Sequence, residues 1–243
     1  MTQKYLNNSI KSRVEKAVFS LSQFIVRMLN KAVMPFFLNL RTELKAEKKA
    51  LKGPLIVIAN HKSYFDPLII AGSLPMFSSV YPLRFIAKDQ LFQNSVSRLF
   101  FWILGCFPVF YGTGKDKPLE LPSNILEEGG TVVFFPEAKC IREESLGEPK
   151  IGAGILALRF PEIPILPIAI HGSYRVGHSG WFKRAMVKSV IGQPFYLKDK
   201  IDMSTATPET AVEAMMHEIT LMYEPMTTKN QVGLPAPAVA RMK

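Results

Sequence analysis

The chain has 243 residues, a formal net charge of +10 and 48% hydrophobic residues. This length is enough for one large core, or for one domain with an appendage. The positive charge favours an anionic partner, either a membrane surface or a nucleic acid. Because the basic residues are scattered and not interleaved with aromatic residues, we expect no nucleic-acid partner. Two cysteines, Cys106 and Cys140, give neither a disulfide framework nor the spacing of a metal site, which favours a reducing cytoplasm.

Residues 11–34 are predicted to form a long amphipathic helix, and the polar stretch at 1–10 before it is expected to be loosely ordered. Polar side chains recur at steps of three and four and form one stripe, made up of Ser12, Arg13, Lys16, Ser20, Gln23, Arg27, Asn30 and Lys31. Arg27 and Lys31 would each cost about 2.5–3.5 kcal/mol at the centre of a bilayer, and the apolar residues around them do not clearly offset that cost. The pattern therefore favours a helix that lies in the membrane interface.

Basic residues of this helix support the interfacial interpretation, because each would add about 1 kcal/mol of attraction to an anionic leaflet. They are Lys11, Arg13, Lys16, Arg27 and Lys31. The alternative is that the helix packs on the protein's own core, and both hold if one end packs while the other enters lipid. We expect peripheral or monotopic attachment to the cytoplasmic face of a membrane.

Three segments are predicted along the chain. An N-terminal helical region covers 1–45, an α/β domain covers 46–226, and a tail with proline and alanine covers 227–243. Pro35 should end or kink the first helix, because proline lacks the N–H that the helix ladder needs. The charged stretch Arg41–Lys52 is expected to be a solvated face or a linker, with the boundary between the first two segments near 45–52.

From Leu55 onward, short apolar runs alternate with helical patterns, which predicts an α/β fold with a mostly parallel or mixed central sheet flanked by helices. The predicted strands are 55–59, 83–87, 107–110, 131–135, 165–170 and 187–191, and the predicted helices are 66–73, 94–104, 122–128, 150–159 and 208–223. The apolar run at 99–110 is too short to span a membrane and is expected to be a buried helix-turn-strand.

The stretch Pro54–Leu68 contains the residues best suited to chemistry. An apolar run at 55–59, typical of a buried strand, is followed by His61 and, five residues later, by Asp66 and Pro67. Proline is well tolerated in the first turn of a helix, so Asp66 should lie where a helix starts. An imidazole can accept a proton from an alcohol, and a carboxylate on its other nitrogen fixes the tautomer. The pair alone leaves open a polar loop residue followed by a helix N-cap.

Further stretches follow this pair in a set order: Arg84–Phe92, Gly105–Tyr111, Gly130 with Val132–Glu137, and Lys150–Gly154 with Ile163–Pro167. Together with Asn60, His61 and Asp66, their order and spacing resemble the glycerolipid acyltransferases, the family of 1-acyl-glycerol-3-phosphate acyltransferases. The resemblance covers about residues 53–195.

The resemblance implies an O-acyltransferase that moves a fatty acyl group from acyl-CoA or acyl-carrier protein to the hydroxyl of a lysolipid, most simply 1-acyl-glycerol-3-phosphate. The product would be phosphatidic acid. The resemblance makes His61 the general base and Asp66 its orienting partner, and it implies no metal and no resident cofactor. Asn60 and Glu137 match substrate-site positions of the family, and Glu137 is expected to bind a hydroxyl or to organise nearby basic groups. Backbone N–H groups of the 60–66 loop are candidates for stabilising the oxyanion.

Two motifs depart from the family pattern. Tyr111 stands where the second motif usually ends in arginine, and Ala138-Lys139-Cys140 stands where the third usually reads Gly-Thr-Arg. Two arginines expected to hold the acceptor's phosphate are therefore missing from their places, and lysine is not equivalent because it lacks the flat guanidinium fork. Ala138 also restricts the backbone if this position needs a positive φ. The candidate replacements for the arginines are Lys88, Lys139 and Arg142.

These departures leave three alternatives open. The acceptor can be another lysophospholipid, a glycolipid or a lipid alcohol, which would need less phosphate binding. The chain can be a non-catalytic lipid-binding relative that keeps the fold. It can also be a thioester hydrolase with Cys140 as the nucleophile, although no base lies beside Cys140 in the sequence. His171, His178 and His217 lack the spacing of metal ligands and are expected to be surface or structural residues.

Overall fold

Seven strands and six α-helices make up the part of the chain that the structure describes. The computed structural model describes residues 2–109, 117–176 and 184–231, with side chains at 17–109, 118–176 and 184–227. The strands are β1 (Leu38–Leu44), β2 (Leu55–Ala59), β3 (Leu83–Lys88), β4 (Cys106–Val109), β5 (Thr131–Phe134), β6 (Ile165–His171) and β7 (Ala185–Ile191). The helices are α1 (Thr2–Phe37), α2 (Asp66–Ser73), α3 (Ser95–Ile103), α4 (Lys117–Glu127), α5 (Gly152–Arg159) and α6 (Pro208–Gln231).

The strands form one mixed sheet in the order β1-β7-β6-β2-β5-β3-β4. All neighbouring strands are parallel except β6 and β7, which are antiparallel. Every residue of β2, β5 and β6 is buried, as expected for strands that helices cover on both faces. The predicted fold class, an α/β fold with a central sheet flanked by helices, is confirmed.

Helices cover the two faces of the sheet in two groups. α1, α2 and α3 lie on one face, around an apolar cluster that includes Val57 and Ile69. α4, α5 and α6 lie on the other face, around a cluster that includes Ile58 and Leu156. Val57 and Ile58 are neighbours in β2 and belong to different clusters, because successive side chains of a strand point to opposite faces. The carboxyl end of β2 is therefore enclosed between two helical layers.

All strands and helices predicted beyond residue 55 are present. α4 begins at Lys117, five residues before the predicted start at 122, and α6 runs on to Gln231, past the predicted tail boundary at 227. The rest of the predicted tail, 232–243, lies outside the described residues. The division of the chain into three segments stays a prediction.

Before residue 55, the structure has more regular secondary structure than expected. α1 takes in the polar stretch from Thr2 and continues through Pro35 as far as Phe37, two residues past the proline that should end or kink it. The first part of the charged stretch, Arg41–Leu44, is a solvated face and not a linker, because it belongs to β1, which pairs with β7 along its whole length, and its residues 41–43 are exposed. β1 is an edge strand, and edge strands commonly carry exposed charged residues, so their sequences resemble those of linkers.

Part of the polar stripe of α1 faces the protein, whereas Ser20 and Lys31 of the same stripe are exposed. Gln23 and Asn30 are buried. The amide of Gln23 donates to the carbonyl of Leu83 at 2.9 Å and accepts the N–H of Leu83 at 2.9 Å, so it acts as a short extension of the sheet's hydrogen bonding. Asn30 Nδ2 donates to the carbonyl of Leu68 in α2 at 2.7 Å. Because Gln23 and Asn30 face the protein, the apolar side of α1 is turned outward.

Arg27 follows the same orientation. Its guanidinium lies 3.6 Å from the centre of the Tyr81 ring and is buried. The expectation that Arg27 attracts an anionic leaflet is therefore wrong. Lys31 is exposed. The side chains of Lys11, Arg13 and Lys16, the other basic residues expected to attract the leaflet, lie outside the described residues. None of the described helices is both long enough and apolar enough to cross a membrane.

The apolar run at 99–110 forms a helix followed by a turn into β4, as predicted, but the helix is not buried. Val96, Leu99 and Phe100 of α3 are exposed. Trp102 contacts Phe19 of α1 with its ring centroid 5.5 Å away. The expectation of burial is wrong for the helix, because α3 lies beside α1 in an outer layer, where only one side of a helix packs on the sheet, and it is confirmed for the turn and β4, where Gly105, Cys106, Phe107 and Val109 are buried.

Candidate active site

β2 ends in a loop that is fixed to a neighbouring strand. Asn60 is the first residue after β2, and its side chain is fully buried. Nδ2 donates to the carbonyl of Ile170 in β6 at 2.8 Å, and Oδ1 accepts the N–H of Ile170 at 2.7 Å. Both ends of the amide are thus occupied by β6. Asn60 therefore fixes the end of β2 against β6, and its assignment as a substrate-binding residue stays a prediction.

The loop between β2 and α2 is built around the fully buried carboxylate of Asp66. Oδ2 lies 2.9 Å from Nδ1 of His61 and accepts the N–H groups of Lys62 at 2.6 Å and Ser63 at 2.7 Å. Asp66 is the first residue of α2, with Pro67 directly behind it, so the predicted helix start is confirmed. The loop folds back far enough to bring the imidazole and the carboxylate into contact.

His61 has one ring nitrogen engaged and the other available. Nδ1 faces Asp66, and the ring stacks on Phe135 with centroids 4.2 Å apart and planes inclined by 21°. The side chain is 17% exposed. When Nδ1 carries the ring proton and donates a hydrogen bond to the carboxylate, the neutral ring keeps its lone pair on Nε2. This is the arrangement of a general base that a carboxylate orients.

Glu137 holds the backbone of His61 from the end of a second strand. It follows β5, and its side chain is fully buried. Oε2 accepts the N–H of His61 at 3.1 Å, and Oε1 accepts the N–H of Gly147 at 3.1 Å. Burial raises the pKa of Glu137, while the N–H donors and the charge of Lys62 oppose that shift. Glu137 thus organises the backbone around His61, and its assignment as a substrate-binding residue stays a prediction.

Residues 138–150, called loop 138–150 below, connect the end of β5 to α5 and run beside His61. The N–H of Ile141 donates to the carbonyl of His61 at 2.8 Å. The next residue, Arg142, is exposed, and its guanidinium lies 5.2 Å from the centre of the Tyr64 ring. Loop 138–150 thus carries Arg142 beside the loop that holds His61, and its role as a replacement for a family arginine stays a prediction.

The other two candidate cations have no such link to His61 in the described contacts. Lys88 is exposed at the carboxyl end of β3. Because β5 lies between β3 and β2, two strand spacings, roughly 10 Å, separate Lys88 from the end of β2. Lys139 is exposed in loop 138–150. Tyr111, the other departure from the family pattern, lies outside the described residues.

Most N–H groups of the loop after β2 already have acceptors. Those of His61, Lys62 and Ser63 bond to carboxylates, that of Phe65 bonds to Ser63 Oγ at 3.2 Å, and that of Asp66 bonds to the Ser63 carbonyl at 3.0 Å. Oxyanion stabilisation needs N–H groups that are aimed at the developing charge. The expectation that this loop supplies the oxyanion donors is therefore wrong for these residues.

Three residues around the site were missed in the sequence. Lys62 is fully buried directly after His61, Phe135 lies against the imidazole, and Tyr223 of α6 lies near the ammonium of Lys62. A lysine inside a polar loop suggests a solvated side chain, since lysine is rarely buried. Its hydrogen-bond partner, the carbonyl of Ser145, lies 83 residues away, so no local pattern could show the burial.

Cys140 is poorly suited to be a nucleophile. Burial raises the pKa of its thiol, and the charge of Asp66 adds to that shift. The thiolate is the reactive form of cysteine, so the structure disfavours thioester hydrolysis by Cys140. Among the described residues, no three side chains of His, Cys, Asp or Glu are placed to hold a metal ion.

The structure describes the surroundings of two of the remaining histidines. His171 is buried at the end of β6, with Nε2 3.1 Å from the carboxylate of Glu144. His217 is exposed on α6. His178 lies outside the described residues. The expectation of structural or surface roles is thus confirmed for His171 and His217.

Ala138 adopts a φ of +53°, a left-handed conformation that costs a residue with a Cβ roughly 1–2 kcal/mol. It stands where the family pattern has glycine. We expect Ala138→Gly to raise the free energy of unfolding by up to about 1 kcal/mol, because relief of this strain exceeds the entropy that glycine adds to the unfolded chain. Urea titration of the full chain measures the change.

The matched control is Ala214→Gly, in the middle of α6, where glycine should lower the free energy of unfolding by about 1 kcal/mol. If both variants lose the same free energy, Ala138 is not strained.

The chain is similar to known acyltransferases in sequence and in fold. The model of the Acyltransferase family matches residues 39–171. A probable 1-acyl-sn-glycerol-3-phosphate acyltransferase of Mycoplasma genitalium is 32% identical over 126 residues, which are 50% of this chain and 46% of that protein. Tafazzin of Drosophila melanogaster is 31% identical over 159 residues, which are 63% of this chain and 41% of that protein. The chain thus spans about half the length of the curated relatives it matches.

A solved structure shares the fold. The 1-acyl-sn-glycerophosphate acyltransferase PlsC of Thermotoga maritima aligns with a TM-score of 0.64 and 19% identity, over 84% of this chain and 79% of that one. The match to the family model covers more than half of the chain, from β1 to β6, and includes His61, Asp66 and Glu137. The chain therefore belongs to the Acyltransferase family.

Proposed function

We propose that this protein is an O-acyltransferase that uses acyl-CoA or acyl-carrier protein as donor and 1-acyl-glycerol-3-phosphate as acceptor, giving phosphatidic acid. The observation that carries the proposal is the 2.9 Å contact between Nδ1 of His61 and the carboxylate of Asp66, on a ring that is still partly exposed. Relatives named as 1-acyl-sn-glycerol-3-phosphate acyltransferases support this choice of acceptor.

In the proposed reaction, Nε2 of His61 accepts the proton of the acceptor's hydroxyl while the hydroxyl oxygen attacks the carbonyl carbon of the thioester. A C–O bond forms, and the carbonyl electrons move onto oxygen. When the oxyanion collapses, the C–S bond breaks and the leaving thiolate takes the proton from Nε2. Asp66 holds the Nδ1 proton throughout, so it fixes the tautomer and stabilises the imidazolium that forms between the two steps.

Arg142 is the group that we propose for the acceptor's phosphate. It is exposed beside Tyr64, one residue beyond the N–H that bonds to the carbonyl of His61. A guanidinium can bind phosphate through two parallel N–H bonds. A lysolipid without a terminal phosphate is the second candidate acceptor, because Cys140 occupies the position of a family arginine.

Replacement of the base tests the proposed reaction. We expect His61→Ala to reduce acyl transfer by about 10²- to 10⁴-fold, the usual contribution of a positioned general base. Thiol release from long-chain acyl-CoA is measured with the full chain and liposomes that contain lysophosphatidic acid. His217→Ala, at an exposed position of α6, is the matched control and should retain the wild-type rate.

Undiminished turnover by His61→Ala would remove the imidazole from the mechanism. A wild-type protein that consumes no thioester with any lysolipid, with acyl-CoA or with acyl-carrier protein, would favour the non-catalytic lipid-binding alternative.

Replacement of the guanidinium tests the acceptor. We expect Arg142→Gln to raise the KM for lysophosphatidic acid roughly 10- to 100-fold, because a hydrogen bond to a charged group contributes about 1.5–3 kcal/mol. The KM for the thioester donor should not change. Arg41→Gln, on the edge strand β1, serves as the matched control.

Turnover only with neutral or zwitterionic lysolipids, together with an unchanged KM for lysophosphatidic acid in Arg142→Gln, would contradict this acceptor. That result would mean that the altered motifs record a change of substrate.

We also propose that the protein docks peripherally on an anionic leaflet, at the cytoplasmic face, through its α1–α3 layer. Sixteen of the twenty-one exposed large apolar side chains among the described residues lie between Val18 and Trp102, in this layer and its loops. An apolar surface concentrated on one side of a protein marks an interaction site. A bilayer fits this surface, because the proposed acceptor is a lipid and the net charge is +10.

The outward face of α1 provides the test. Ile25 and Leu29 are both about half exposed and lie one turn apart. We expect the double variant Ile25→Gln/Leu29→Gln to bind anionic phospholipid vesicles at least roughly tenfold more weakly in sedimentation, because two apolar side chains no longer enter lipid.

Leu221→Gln, at an exposed apolar position of α6 on the opposite layer, is the matched control and should bind like the wild type. Equal weakening in the two variants would show that docking does not use the α1–α3 layer.

A further inference from the structure

Lys62 is a lysine without exposed surface, directly after His61. Lysine is almost never fully buried unless its ammonium has partners. Here Nζ donates a hydrogen bond to the carbonyl oxygen of Ser145 and lies 5.5 Å from the centre of the Tyr223 ring. The side chain of Lys62 takes no part in the proposed proton transfers, so its burial needs another explanation.

Ser145 belongs to loop 138–150, which several groups hold in place. The hydroxyl of Tyr223 donates to the carbonyl of Glu144 at 2.6 Å, and the carboxylate of Glu144 lies 3.1 Å from Nε2 of His171. Two consecutive carbonyls of loop 138–150 thus accept hydrogen bonds from side chains, that of Glu144 from Tyr223 and that of Ser145 from Lys62. Because Lys62 belongs to the loop after β2, its hydrogen bond joins that loop to loop 138–150.

The ammonium also lies in the field of two buried carboxylates. Burial lowers the pKa of Lys62, and the negative charges of Glu137 and Asp66 oppose that shift. Both carboxylates are fully buried. They are also the two groups that hold His61, one through its backbone N–H and the other through its ring. A buried carboxylate stays ionised only where donors or a positive charge compensate it.

We infer that Lys62 is a positioning residue for the acyl transfer, an inference that rests on the proposed function. Its ammonium is the counter-charge of Asp66 and Glu137, and its bond to Ser145 holds loop 138–150 against the imidazole. The titratable groups that face the ammonium are these two carboxylates, Cys140 and Glu143 in loop 138–150, and Tyr223 in α6.

Two variants separate the charge from the hydrogen bond. Lys62→Gln removes the charge and keeps a donor for the carbonyl of Ser145, whereas Lys62→Met removes both and keeps an unbranched side chain suited to a buried position. Without the positive charge, which lowers the pKa of Glu137, this carboxyl holds its proton to higher pH and then has one fewer acceptor oxygen for the N–H groups of His61 and Gly147. We therefore expect both variants to lose at least tenfold in kcat at neutral pH and to lose activity on acidification about one pH unit or more above the wild type.

The KM for the acceptor divides the two variants further. It should rise in Lys62→Met, because loop 138–150 carries Arg142 and is no longer anchored, and it should stay closer to the wild type in Lys62→Gln. Lys49→Gln, an exposed lysine far from this loop in the sequence, is the control and should keep the wild-type kcat and pH profile.

A second readout needs no substrate. The ring signals of His61 in NMR spectra, assigned by their loss in His61→Ala, report on Glu137 because this carboxylate holds the His61 backbone, and their pH dependence should move to higher pH in both Lys62 variants. An unchanged acidic limb and an unchanged ring titration would overturn the inference and leave Lys62 a space-filling residue. If one variant fails to fold, the other decides. If the wild type shows no transfer, the proposed function fails, while the ring titration still decides the role of Lys62.

Discussion

The burial of one carboxylate, that of Asp66, is the constraint on which the whole site depends. A carboxylate without exposed surface is costly unless donors surround it. The backbone supplies two of these donors, at Lys62 and Ser63, only if the chain turns back sharply after β2. The same turn brings His61 Nδ1 within 2.9 Å of the same oxygen. The bonds that make the burial of Asp66 tolerable are therefore also the bonds that orient the imidazole.

The two strands next to β2 hold the turn after β2 in place. Asn60 binds β2 to β6 through a two-way amide bond to Ile170, and Glu137 binds the end of β5 to the N–H of His61. Because β2 lies between β5 and β6, the imidazole is fixed from both neighbouring strands. The buried side chains of Asn60 and Glu137 thus fix the backbone at His61, and Asp66 orients its ring. Asn60 and Glu137, which match polar positions of the family, therefore fix the geometry of the site.

Local features of the fold and the site could be predicted from the sequence, and long-range partners could not. The uninterrupted apolar run of β2 and the Asp66-Pro67 helix start are encoded within a few residues, and both were predicted correctly. The period of α1 also gave the polar stripe, but it could not say which side of the helix meets the protein. That side was decided by backbone groups at Leu83 and Leu68, which only the folded sheet and α2 bring to Gln23 and Asn30. The burial of Lys62 was hidden for the same reason.

The inverted orientation of α1 bears directly on how a lipid would reach His61. On the proposed function, the acceptor keeps its acyl chain in the bilayer while its hydroxyl meets Nε2. α2 begins at Asp66 and belongs to the same layer as α1 and α3, which carries most of the exposed apolar side chains. Tyr64 and Phe65, on the His61 loop itself, are exposed in continuity with that layer. The loop that orients the imidazole is thus part of the surface proposed to meet lipid, so a hydroxyl at the membrane interface could approach the base without the lipid leaving the bilayer.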